Sequence, residues 1–225
     1  MSEPPRELSF DQLVARASRL AGAGPRQLLG IAGAPGAGKS TLAERLVSAL
    51  GATAALVPMD GFHLAQAELR RLGRHDRKGA VDTFDGPGYV CLLRRLRAGS
   101  VLVDGGEAAD PVRETVYAPR FRRDLEEPIA GAIPVPPSVR LVVTEGNYLL
   151  LPDHPWAEVR GLLDEVWFLD LDREIRLRRL ADRHVAYGRT PEAAAARARG
   201  TDQVNAELIA TTAHRADLVV RLSSG

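Results

Sequence analysis

"GAPGAGKS", Gly33 to Ser40, stands between the apolar run "LLGIA" (28–32) and the helical pattern "TLAERLVSAL" (41–50). Glycines at 33, 36 and 38 let the backbone curl so that several N–H groups point inward. The helix that follows presents roughly half a positive charge at its N-terminus to an anion. Lys39 can reach the outer phosphates of a polyphosphate, and the Ser40 hydroxyl suits magnesium. G-x-x-x-x-G-K-S between a strand and a helix is the Walker A pattern. Gly33, Ala34, Pro35, Gly36, Ala37, Gly38, Lys39, Ser40 and Thr41 are therefore assigned to ATP. The held phosphate could serve a switch, a motor or a transfer, and the rest of the chain must decide.

Continuous apolar runs of strand length recur at "RQLLGIAG", "AALVPM" (54–59), "VRLVVTEG" (139–146), "EVWFLDL" (165–171) and "DLVVRL" (217–222), separated by helical stretches. Such an alternation predicts a parallel sheet covered on both faces. A helix with Ser9 as its cap is expected over 9–21, and Gly51 ends the helix after the phosphate loop. Segment 99–138 reads as an insertion. It should form a small β-flap of two short extended pieces around a Gly-Gly turn, with "PIAGAIPVPPS" as a proline-rich connection. Residues 172–199 read as an Arg/Ala-rich helical lid, broken at "YGRTPE", where Thr190 and Pro191 start a new helix. No repeat is visible, and residues 1–225 are read as one domain.

The 225 residues are 45% hydrophobic and 26% charged with net charge +1, the balance of an ordinary globular chain. No global field favours nucleic acid or membrane as a partner. Lys39 and Lys78 are the only lysines, so a lysine kept in the glycine loop carries weight. The single cysteine, Cys91, excludes a disulfide framework within the chain and is expected to be buried. No basic leader or membrane-length apolar run is seen, which makes the cytoplasm the expected location. His75, His154, His184 and His214 lack metal-ligand spacing, and Trp156 and Trp167 are read as packing residues.

Two carboxylates narrow the chemistry. Asp60 ends the strand "ALVPMD", and ligands of open α/β sheets sit at the carboxyl ends of strands. A carboxylate there can accept a proton from an attacking hydroxyl. Glu145 ends the run "LVVTE" in the usual position for holding magnesium directly or through water. His63, three residues after Asp60, is placed to touch an acceptor. The N-K-x-D motif of GTPases and the L-S-G-G-Q signature of transporter ATPases are absent.

The ordered set "GAPGAGKST", "MDGFH", "FDGP", "VYAPRF", "VTEGNYLL" and "RLRRLADRHVAYGR" resembles the uridine kinase, phosphoribulokinase and bacterial pantothenate kinase group over roughly residues 28–221. The resemblance implies an α/β P-loop fold with a five-stranded parallel sheet and helices on both faces. It implies Asp60 as the base facing the acceptor hydroxyl, Glu145 and Ser40 in the Mg2+ shell, and Tyr117 of the flap lining the acceptor site. Asn205 is similar to a substrate-contacting asparagine of pantothenate kinases. Arg176, Arg179 and Arg183 lie at near-helical spacing. From the lid resemblance, Arg183 and Arg189 are expected to stabilise charge on the transferring phosphoryl group.

The chain departs from these relatives at "YAPRFRRD" after the flap tyrosine, at Pro119 and at Arg183-His184. The expectation is an ATP- and Mg2+-dependent kinase acting on a hydroxyl of a nucleoside, pantothenate-like compound or sugar. A nucleoside monophosphate kinase and a nucleotide-switch ATPase remain as alternatives, and a homodimer is left open. Arg113, Arg120, Arg122 and Arg123 in the flap suit a carboxylate or phosphate on the acceptor.

Overall fold

The computed structural model describes residues 4–98, 114–188 and 190–223. Six strands form one parallel sheet: β1 (Arg6–Leu8), β2 (Gln27–Ala32), β3 (Ala54–Leu56), β6 (Leu141–Gly146), β7 (Glu165–Leu169) and β8 (Leu218–Leu222). Their spatial order is β1-β8-β7-β2-β6-β3. Five were expected. The sixth is the three-residue edge strand β1, which pairs only with β8 and is too short to show a pattern. Two further strands, β4 (Val116–Arg122) and β5 (Glu127–Val135), make an antiparallel hairpin.

Helices cover the sheet: α1 (Phe10–Gly22), α2 (Lys39–Leu50), α3 (Gln66–Arg71), α4 (Gly86–Ala98), α5 (Val159–Leu162), α6 (Arg173–Ala186), α7 (Pro191–Arg199) and α8 (Thr201–Ala210). Successive strand residues point to opposite faces, so each apolar strand feeds two cores. Leu28, Val142, Val166 and Phe168 pack toward α4, Trp156 and the base of the hairpin. Leu29, Ile31, Leu141, Val143 and Trp167 pack toward α1 and α2 through Leu13, Ala17, Leu42 and Leu46. That double burial is why the strands read as unbroken apolar runs.

The local signals act as their chemistry requires. Ser9 accepts from the Gln12 N–H while Gln12 reaches back to the Ser9 N–H, a full capping box. Thr190 caps α7 with Pro191 in its first turn, and Gly51 caps α2. Trp156 and Trp167 are buried.

Two further expectations change, and a third is not tested. "PIAGAIPV" is a strand, β5, because its prolines fall on a two-stranded hairpin whose free edges demand no N–H there. The Gly-Gly turn of the flap lies outside the described residues. Cys91 is exposed on α4, since Val90, Leu92 and Leu93 take the buried face.

Candidate active site

The central strand β2 pairs with β6 on one side and β7 on the other, and the chain leaves it into the glycine loop. Gly33, Gly36 and Gly38 all have left-handed φ values of 146°, 81° and 97°. Space adds a second demand. A Cβ on Gly33 would stand 2.7 Å from the Leu169 carbonyl oxygen, and one on Gly36 would stand 2.9 Å from that of Arg176. Gly38 begins α2 with no side-chain cap, so the first N–H groups of the helix remain available to an anion.

Lys39 is only 8% exposed and donates to the Asn147 side-chain oxygen at 2.8 Å and to the Ala34 carbonyl at 3.1 Å. Burial lowers its pKa to about 8, while the nearby Glu145 and Asp60 carboxylates oppose that shift. The ammonium is therefore largely charged at neutral pH. Next to it, Ser40 Oγ donates to Glu145 Oε1 at 3.1 Å. Glu145 is 5% exposed, and burial together with the Asp60 charge raises its pKa to about 7. A hydroxyl and a buried carboxylate short of positive charge fit Mg2+, which takes few protein oxygens and keeps the rest for phosphates and water. Among the described residues no cluster of three or more His, Cys, Asp or Glu could hold a metal alone. Magnesium at this place would have to share ligands with a nucleotide.

Asp60 sits in the single helical turn Met59–Phe62 after β3, on the same sheet edge. The Val57 N–H donates to Val143 and Thr144 Oγ1 donates back to Val57, which fixes that edge beside β6 and Glu145. The hairpin lies directly on this turn. A Cβ on Gly61 would be 2.5 Å from the Pro119 carbonyl oxygen, so only glycine lets the flap come so near. His63 Nδ1 is 2.8 Å from the Asp60 main-chain oxygen, and its ring lies between Phe84 and Phe121 at 4.0 and 4.8 Å. Burial pushes the imidazole pKa down. Arg123 Nη2, from the flap turn, is 3.8 Å from Asp60 Oδ2.

The lid arginines separate. Arg176 is buried and donates to the Pro35 carbonyl at 3.2 Å and to Gln203, bracing the phosphate loop from behind. Arg179 Nη1 stands 3.5 Å from where a Gly38 Cβ would be. Arg183 lies close enough for its charge to help lower the Lys39 pKa. Arg189 lies outside the described residues.

Asn205 is buried, and its amide donates to the Gly79 carbonyl at 3.3 Å, which also accepts from Tyr148 at 2.5 Å. Arg197 of α7 donates to the carbonyls of Asp76 and Lys78 in the same segment. Tyr117 is 57% exposed, on the strand face opposite the buried Ala118. The flap residues that reach the Asp60 turn are instead Pro119, Phe121 and Arg123.

Lys39, Ser40, Glu145, Asp60 and His63 are thus brought to one edge. Asn147 and Arg176 contact the glycine loop, Asn147 unnoticed by motif reading and Arg176 noted there only among the lid arginines. Asn147 had a signal, a polar residue directly after the end of an apolar strand. Arg176 had only its helical spacing from Arg183.

A family model described as "Phosphoribulokinase / Uridine kinase family" matches residues 28–224, and the chain belongs to that family. It is 32% identical over 230 residues to the "Putative uridine kinase" of Schizosaccharomyces pombe, covering 97% of this chain and 93% of that protein. Among solved structures, the "putative fructose transport system kinase" of Silicibacter is 36% identical with a TM-score of 0.80, covering 94% of this chain and 98% of that one. YFH7 of Saccharomyces cerevisiae, a "putative P-loop containing kinase with a circular permutation", shares the fold at 19% identity with a TM-score of 0.80, covering 97% of this chain and 100% of that one. The chain is a P-loop kinase, a phosphotransferase of the small-molecule type. No helix among the described residues is long and apolar enough to cross a membrane.

Proposed function

We propose that this member of the phosphoribulokinase / uridine kinase family transfers the γ-phosphoryl group of ATP to a hydroxyl of a small metabolite, with Asp60 as the base. One observation carries the reading. A partly exposed carboxylate that is not needed to hold phosphate stands at the same sheet edge as Lys39 and Glu145, close enough to influence the charge of both. A phosphate acceptor is already anionic and would have no use for it.

In this reading the loop N–H groups and Lys39 hold the β- and γ-phosphates. Ser40 and Glu145 would hold Mg2+, which neutralises phosphate charge when bound. The acceptor hydroxyl loses its proton to Asp60 as its oxygen bonds to the γ-phosphorus. The bond from that phosphorus to the bridging oxygen breaks, and ADP leaves. Arg183 and Arg189 meet the charge that spreads over the phosphoryl oxygens. His63 borders the acceptor, Tyr117 stands at the outer rim of the site, and Asn205 acts through the Gly79 carbonyl that it holds. Helices α6 and α7 form the lid. The same reading places the enzyme in the cytoplasm.

The test uses acceptors suggested by relatives and by other alcohols (uridine, fructose, glycerate), scored by ADP release. Asp60→Asn should lower kcat by about 10²- to 10⁴-fold with ATP binding unchanged. An unchanged kcat removes Asp60 from the chemistry and returns the monophosphate kinase reading.

A further inference from the structure

The four flap arginines singled out in the sequence have different fates. Arg113 lies outside the described residues. Arg122 is engaged by both oxygens of Asp124, at 2.8 and 2.6 Å. Arg120 precedes Phe121 on the strand, so alternation turns it away from the face that meets His63. Arg123 is the exception. It begins the turn after β4, its guanidinium lies 5.9 Å over the Tyr187 ring at the end of α6, and its Nη2 is 3.8 Å from Asp60 Oδ2. With 44% of the side chain exposed, this ion pair contributes little to the fold. The guanidinium is therefore easily taken over by a better anion, one that offers two oxygens to its fork.

His63 supplies a second reader. The Asp60 main-chain carbonyl only accepts, so Nδ1 must carry the ring proton at that 2.8 Å contact. Packed between two phenylalanines, the imidazole stays neutral, and Nε2 is a lone-pair acceptor with no partner among the described residues. Arg197 Nε is the sealed side-chain polar atom left unpaired among those residues, so His63 Nε2 keeps access to solvent. A neutral ring acceptor matches an O–H donor.

Resting on the transfer reading above, we infer that the acceptor is a short hydroxy acid or polyol phosphate. Arg123 holds its anionic group, and His63 Nε2 accepts from a second hydroxyl beside the one that Asp60 deprotonates. The anion draws the guanidinium off Asp60 and leaves that carboxylate free for the reacting hydroxyl. The Arg123 guanidinium and the His63 ring both stand beside Asp60, Nη2 at 3.8 Å and ring Nδ1 at 4.0 Å from its carboxylate, which suits a compact molecule whose anion lies a few bonds from the reacting oxygen. A neutral nucleoside fits poorly. The described hairpin contains no Asn or Gln to read the edge of a base.

Calorimetry with a non-hydrolysable ATP analogue and Mg2+ tests this on matched probes: glycerate against glycerol, and ribose 5-phosphate against ribose, with uridine and fructose as neutral references. At least one anionic probe should bind about ten-fold or more tighter than its neutral partner. Arg123→Gln should erase that advantage while leaving neutral probes within about three-fold, and Arg123→Lys should retain part of it. With the turned-over probe, the loss should fall on KM and not on kcat. His63→Phe keeps the stacking and should weaken probes with a second hydroxyl only.

The glycerate and ribose 5-phosphate arms separate carboxylate from phosphate. Equal or tighter binding of neutral probes, no binding by any anionic probe, or an equal loss for both members of a pair in Arg123→Gln each overturns the inference. Binding of the ATP analogue alone is scored separately. Its absence defeats the kinase reading, whereas its presence with neutral probes preferred defeats the anion subsite only.

Discussion

Between Gly33 and Ser40 one unbroken stretch supplies the loop, the lysine and the hydroxyl of the phosphate site, and buried or half-buried groups brace it from outside: Arg176 on Pro35, Asn147 on Lys39, Glu145 on Ser40. The proposed acceptor side is assembled differently. Asp60 and His63 come from a turn after β3, Phe121 and Arg123 from the hairpin, and Tyr187 from the end of α6. Its contacts are longer and its side chains more exposed. A site that binds the same polyphosphate throughout a family can be rigid and local. A site that must choose an acceptor is assembled from segments that can change separately, which is why one half was legible as a single motif and the other only as scattered candidates such as Asp60 and His63.

The largest expected effect lies on the phosphate side. Lys39→Ala removes a buried charge that Asn147 and Ala34 orient, and it should lower turnover by about 10³-fold or more with thermal stability little changed. Steady-state ADP release beside a melting curve checks both. Turnover near wild type would show that the braced half is not the catalytic half.

An intermediate effect comes from pH. Glu145, raised to about 7, must lose its proton to hold Mg2+, so activity should fall as pH drops through about 7. Lys39, lowered to about 8, loses its charge above that value, so activity should also fall as pH rises through about 8. Each limb should approach ten-fold per pH unit. Excess Mg2+ competes with the Glu145 proton and should move the acid limb down. An acid limb indifferent to Mg2+ would separate Glu145 from the metal.

The smallest effect is expected at the flap. Tyr117→Phe alters a largely exposed hydroxyl and should change kcat/KM by less than about three-fold. A loss of ten-fold or more, measured with the best acceptor probe, would place Tyr117 against the substrate and shift the acceptor wall toward β4.

The sequence by itself determined the parallel α/β fold, the phosphate loop and its lysine, the two strand-end carboxylates and the caps at Ser9 and Thr190. Each depends on neighbours a few residues away: a glycine pattern, an apolar run, a polar residue at a strand or helix end. It left β1 hidden, because three residues show no periodicity and pair only once β8 is present. It read β5 as a connection, because prolines argue against a central strand but not against a hairpin edge. Only the tertiary structure set Arg176 behind the loop, Asn147 on Lys39 and Asn205 on Gly79, and picked Arg123 out of its arginine-rich stretch. Those roles depend on which side chains meet across 27 to 141 positions of chain and on how much water they lose there, and neither is written in local spacing.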